Sequence, residues 1–347
     1  MVPLGILAAS MLVASGIVLF GAGEAAADCS GALSEDYECH RERYESLARN
    51  SGVGAAFDEL EEEYKEDEFV RSVCHGLTHA IGQVAAERHG DISSAFGQGD
   101  GFCQSGYYHG AMETFVAEVG AGKVLEEAPT ICAGLRERSV YHFDCAHGLG
   151  HGFMGVLDNE LFESLRACDA LTDPWEKKPC YSGVFMENVM IEVISGRPSR
   201  YLREDLPLYP CTDVETRYKR PCYRYQTSHA LKVRGGSFAR VFELCAQVAE
   251  AEFRIACYQG LGGNAAGQGI RKHVSNAARS ETVDMLCALG KDVEARSNCV
   301  TGAVNFLVYY YHDDAQARAL CETFDDAQSL RAVCSGAVEE YYASFET

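Results

Sequence analysis

The chain has 347 residues, a formal charge of −21 at neutral pH and sixteen cysteines. That length accommodates two or three average domains or one extended repeat array. The acidic field repels a phosphate backbone, which excludes nucleic acid as a natural partner; it reads first as a device for solubility or adaptation to salt, with attraction of cations as the functional alternative.

Residues 4–22 carry no charge and are apolar or small throughout. Such a stretch suits a secretory h-region or a membrane-spanning helix. Ala25-Ala26-Ala27 has the small-residue form of a cleavage site before Asp28, while the first Lys or Arg of the chain is Arg41, so the usual basic n-region is missing. Residues 1–27 therefore read as a signal peptide or an N-terminal anchor. Residues 28–347 read as a single extracytoplasmic domain, secreted or held to a membrane only through that segment. The even number of cysteines agrees with an oxidising compartment. No CxxC or CxxCH occurs, so zinc ribbons, thioredoxin-type redox pairs and covalently attached haem have no support. DELEEEYKEDE, residues 58–68, lacks the glycine turn of a calcium loop and reads as a solvated helix face.

From residue 103 onward the cysteines set a rhythm. Those at 103, 145, 180, 222, 257, 299 and 334 are separated by 42, 35, 42, 35, 42 and 35 residues. Most open a common phrase: CQSG, CAHG, CYSG, CYQG, CVTG and a final CSG, with CHG at Cys74 beginning the series. Six have an upstream partner 11 to 13 residues away, predicting the pairs 132/145, 168/180, 211/222, 245/257, 287/299 and 321/334. Cys29, Cys39, Cys74 and Cys103 remain, with 74/103 and 29/39 as candidate pairs that the spacing leaves open. FARVFELCAQVAE, residues 238–250, puts Phe238, Val241, Phe242 and Cys245 on one helical face. Each unit thus reads as two helices, one ending near the first cysteine and the next opening at the second. The expected fold is all-α: disulfide-stapled helical-hairpin repeats stacked as an α-solenoid or α/α ring. Residues 196–210, with three prolines, are a loop or hinge in mid-array.

Alignment on the glycine after the second cysteine gives HGLTH (75–79), SGYYH (105–109) and HGLGH (147–151) in the first three units. Five of the eleven histidines fall in two repeat positions, within the His-rich units 74–157. Residues four apart share a helix face, so His75 with His79 and His147 with His151 each present two imidazoles together. His109 has Glu113 four residues on. These six residues are the candidate ligands for a transition metal such as zinc, copper or iron, with non-covalent haem as a further option. His109 and Glu113 also suit acid–base work without a metal. The competing reading is a non-catalytic scaffold offering a concave surface to a protein or glycan, its histidines structural.

Helices that touch in a stack lie about 8–10 Å apart, which sets units one and three about 20 Å apart if the stack is straight. One ion then reaches all five histidines only if the array curls sharply; two ions, or one held by two neighbouring units, are easier to build. His40, His89, His273 and His312 read as exposed, His142 as part of a stapled connection, and His229 as one residue past the recurring slot.

Overall fold

The computed structural model describes residues 28–31, 34–99, 101–103, 105–136, 139–195, 198–324 and 328–346. The segment 1–27, read above as leader or anchor, lies outside them. Among the described residues the secondary structure is helical, with no strand, and no helix is long and apolar enough to cross a membrane.

The chain begins with α1 (Tyr37–Ser51) and α2 (Val53–Glu66), which pack on α3 (Glu68–His89). The acidic run falls on α2 and the start of α3. It is not wholly solvated, because Arg43 pairs with Glu59 and Glu63 while the Tyr44 hydroxyl donates to Glu63. Short helices then alternate with long ones: α4 (Ile92–Phe96), α5 (Gly106–Val119), α6 (Ala121–Ile131) and α7 (Ser139–Val156). They continue with α8 (Leu161–Asp169), α9 (Pro174–Ser195), α10 (Thr216–Val233), α11 (Phe238–Ala246) and α12 (Ala251–Lys272). The series closes with α13 (Asn276–Cys287), α14 (Val293–Tyr311), α15 (Ala315–Glu322) and α16 (Gln328–Glu346). Residues 184–194, VFMENVMIEVI, carry β-branched residues, but their apolar positions also fit a buried helix, and they are helical within α9. The proline-rich residues 198–210 form an irregular connection, and the α9 and α10 helices that flank it pack together.

The six expected disulfides are present, Cys29 pairs with Cys39 and Cys74 with Cys103, and no cysteine is free. α11 buries Phe238, Val241, Phe242 and Cys245, the four residues its periodicity marks. The second cysteine of each unit does not open its helix, however. Cys180, Cys222, Cys257 and Cys299 are each the seventh residue of α9, α10, α12 and α14, so those helices start nearly two turns earlier. The glycine after the cysteine resembles a helix start but has another purpose, close packing.

The long helices α3, α5, α7, α9, α10, α12, α14 and α16 each pack on the next in chain order. Between α3 and α5, and between α7 and α9, backbone approaches backbone. A Cβ at Gly106 would stand 2.4 Å from the His75 carbonyl oxygen, one at Gly110 2.1 Å from that of His79, and one at Gly183 1.9 Å from that of His147. Glycine at these sites costs roughly 1 kcal/mol of helix propensity each, offset by closer approach of the helices than side chains allow.

The succession curls far enough for late helices to meet early ones: α12 touches α3 and α16 touches α7. At this closure the Tyr309 hydroxyl donates to Asp144 Oδ1 (2.8 Å), and His312 Nε2 lies 3.2 Å from Ser105 Oγ and 3.8 Å from Asp144 Oδ2. Asp144 is fully buried. Burial pushes its carboxyl up to about 8, against the opposing hydrogen bonds of Tyr309 and Ser105. The folded state therefore keeps a proton that the unfolded chain releases above its ordinary aspartate value. The stability contribution is complete below about pH 4 and is lost as pH rises to about 8. Asp144→Asn should match the wild type near pH 4 and exceed it by several kcal/mol at pH 8; urea unfolding at the two pH values reads the difference.

Candidate metal centre

Helices α3, α5 and α7 carry the five histidines, and the glycine contacts between α3 and α5 bring their backbones together at the histidines themselves. The five imidazoles form one contiguous cluster. His109 lies at its middle, with ring centroids 5.3 Å from His75, 5.5 Å from His79, 4.9 Å from His147 and 4.4 Å from His151. His75 and His79 are 4.9 Å apart, His147 and His151 5.0 Å. The rings of α3 and α7 thus meet at His109 on the helix between them, and glycine lets the α3 and α5 backbones approach closely there.

Two sets of nitrogen donors lie within 4.8 Å of one another: His75, His79 and His109, and His109, His147 and His151. Glu113, His151 and Glu187 make a third such set. Glu113 joins the cluster as expected, 3.6 Å from His79 Nδ1 and 3.9 Å from His151 Nδ1.

The orientation of the rings is fixed from outside. His75 Nδ1 donates to the Cys103 carbonyl (2.9 Å), because a carbonyl can only accept. His151 Nδ1 faces Glu187 Oε2 at 2.8 Å, where a carboxylate accepts its proton. In the neutral tautomer that these two bonds select, the lone pair of each ring lies on Nε2. His151 Nε2 lies 3.2 Å from His147 Nε2, close to the spacing of two ligands on a tetrahedral ion with metal–nitrogen bonds of about 2.0–2.1 Å. Acceptors on the far nitrogen are what align ligating histidines and raise their basicity. His109 differs. It is 1% exposed, yet neither ring nitrogen has a hydrogen-bond partner. An unmade bond on a buried polar group costs about 1–3 kcal/mol.

Burial, with repulsion from neighbouring imidazoles, pushes His75 down to about 3 and His109 and His147 well below the ordinary histidine value. These rings are neutral at physiological pH, the form that binds metal. His79 moves the other way: burial alone would lower it, and the Glu113 carboxylate more than offsets this. Burial would raise Glu113, but His79 beside it holds its carboxyl below the usual range. The centre is graded in exposure. His147 and His151 are buried, whereas the side chains of His79 and Glu113 are 12% and 28% exposed.

Glu187 was not singled out in the sequence. It stands one residue past the recurring slot in the fourth unit, the offset already noted for His229 in the fifth, and that shared offset was the available signal. His229 itself is buried and faces the Arg203 carbonyl at 3.2 Å. Glu187→Gln keeps the shape but removes the charge that orients His151. It should weaken metal binding on the order of tenfold or more without unfolding the protein, read by competition with a chelating indicator.

The remaining histidines depart in part from expectation. His40 is buried and bonded to the Ser34 carbonyl (3.1 Å), and His312 is half-buried at the closure. His142 lies in the first turn of α7, where its Nε2 meets the buried Glu176 at 2.7 Å and its ring stacks on Trp175. Asp173 and Glu176 complete a His/carboxylate group there, but Arg136 lies 3.5 Å from each carboxylate and supplies the counter-charge a cation would bring. Comparison with protein families, curated proteins and solved structures gave no match for this chain.

Proposed function

We propose that this chain is an exported transition-metal-binding protein whose disulfide-stapled helices form a curled α-solenoid around a histidine centre. The observation that carries the reading is the convergence of five imidazoles on His109, a buried ring with both nitrogens unpartnered. A purely structural role would satisfy that ring. Imidazole and carboxylate donors without thiolate favour borderline ions such as zinc, copper or iron. Haem fits poorly, since axial nitrogens stand about 4 Å apart across an iron with the macrocycle between them, and these rings pack directly on one another. Eight disulfides agree with an oxidising compartment outside the cytoplasm, and the acidic surface raises the local concentration of cations.

The test is elemental analysis of oxidised protein purified without a histidine tag, before and after loading with Zn(II) or Cu(II). Roughly one or more tightly held ions per chain are expected. A content far below one ion in both samples overturns the reading. His79→Gln and His151→Gln should then lower thermal stability more in loaded protein than in chelator-treated protein. Equal losses in the two conditions belong to the structural scaffold.

A further inference from the structure

We propose that the centre takes two ions, with His109 as the ligand they share. This rests on the metal-binding reading and goes beyond it in stoichiometry and in the division of labour between the two positions.

With metal–nitrogen bonds of about 2.0–2.1 Å, the centroid of a bound imidazole lies about 3.2 Å from the ion. Ligand angles of roughly 90–120° then place the centroids of two rings on one ion about 4.5–5.5 Å apart. The triad of His75, His79 and His109 has separations of 4.9, 5.3 and 5.5 Å. The triad of His109, His147 and His151 has 4.4, 4.9 and 5.0 Å. The first triad is thus spaced for one ion as it stands; in the second, the nearly parallel rings of His109 and His151, 4.4 Å apart and inclined by 25°, turn to bring their nitrogens onto a common ion. Among the described residues, no donor set within 4.8 Å spans both histidine pairs, so a single ion would have to abandon one of them. His109 has two ring nitrogens, both unpartnered, and can offer one to each ion.

The two positions differ. The inner ion is enclosed by His109, His147 and His151, each no more than 3% exposed, with Glu187 holding the outer nitrogen of His151. The outer ion is held by His75, His79 and His109 at the partly exposed rim, beside Glu113. Three protein nitrogens at a partly exposed rim, with the Glu113 carboxylate beside them, suit a metal that exchanges more readily than an enclosed one. The inner ion is structural and slow to leave. When the second ion binds, the N–H bond of His109 breaks and a nitrogen–metal bond replaces it, while the proton goes to water. The two ions then lie about 6 Å apart across an imidazolate.

The experiment titrates tag-free, oxidised wild-type protein with Cu(II), following bound copper by elemental analysis and its electron paramagnetic resonance. Two ions per chain are expected, with an isolated Cu(II) signal at one equivalent that loses intensity through magnetic coupling at two. A chelator should remove one ion at least about tenfold faster than the other, because release of the buried one needs local opening. The double variant His75→Gln/His79→Gln changes only partly exposed rings. It should bind a single, slowly released ion. Saturation of the wild type at one ion, or two ions with undiminished signals, overturns the shared centre while leaving metal binding intact. No bound copper overturns metal binding itself.

Discussion

Gly183→Ala is expected to destabilise the protein by about 2 kcal/mol or more, although the substitution favours the helix itself by nearly 1 kcal/mol. The added methyl would stand 1.9 Å from the His147 carbonyl oxygen. Backbone cannot rotate aside as a side chain can, so α7 and α9 must separate by more than 1 Å to reach ordinary contact. That shift moves His147 and His151 on α7 away from Glu187 on α9, so metal affinity should fall with stability. Gly262→Ala meets the Cys299 carbonyl oxygen at 1.8 Å between α12 and α14. It should cost as much stability and leave the metal centre alone. Gly155→Ala, in α7 with nothing within 4 Å, should be neutral or slightly stabilising. Urea midpoints and metal titration of the three variants read these outcomes. If Gly183→Ala proved as stable as Gly155→Ala, the close packing claimed for this wall would be wrong.

The same glycines explain why part of the architecture was legible in the sequence and part was not. Disulfide pairing depends on separations along the chain, and partners 11 to 13 residues upstream point to six of the eight bonds; Cys29–Cys39 and Cys74–Cys103 lie outside that pattern, which leaves them open. The buried face of α11 followed from local periodicity for the same reason. The starts of α9, α10, α12 and α14 were read nearly two turns late because glycine looks alike whether it begins a helix or lets a neighbour approach; only the neighbour distinguishes them. The convergence of His75, His79, His109, His147 and His151 was suggested by their repeat positions. Their actual distances depend on curvature and on helix spacing, which are properties of contacts remote in sequence. The closure of Tyr309 and His312 on Asp144 and Ser105 joins residues 165 and 207 apart, and no local pattern announces it. Nor does one announce that His40 is buried.

Full reduction of the protein is expected to abolish its helical structure without added denaturant. Seven of the disulfides close loops of 10 to 13 residues and one spans 29. In the chain-entropy model each is worth about 3 kcal/mol, so eight together exceed the 5–15 kcal/mol stability of an ordinary domain. Circular dichroism before and after reduction, with thiols counted by mass spectrometry, reads this directly. Position matters as well as number. The Cys74–Cys103 bond ties α3 to the loop before α5, and the Cys103 carbonyl is what fixes the His75 ring. Replacing that pair with serine should cost about 3–4 kcal/mol and also weaken metal binding. Replacing Cys321 and Cys334 should cost about 3 kcal/mol and leave metal binding unchanged, since that staple joins α15 to α16, which carry none of the five histidines. Equal losses of metal affinity in the two double variants would mean that the staples act only on global stability, and that the Cys103 carbonyl does not position His75 for an ion.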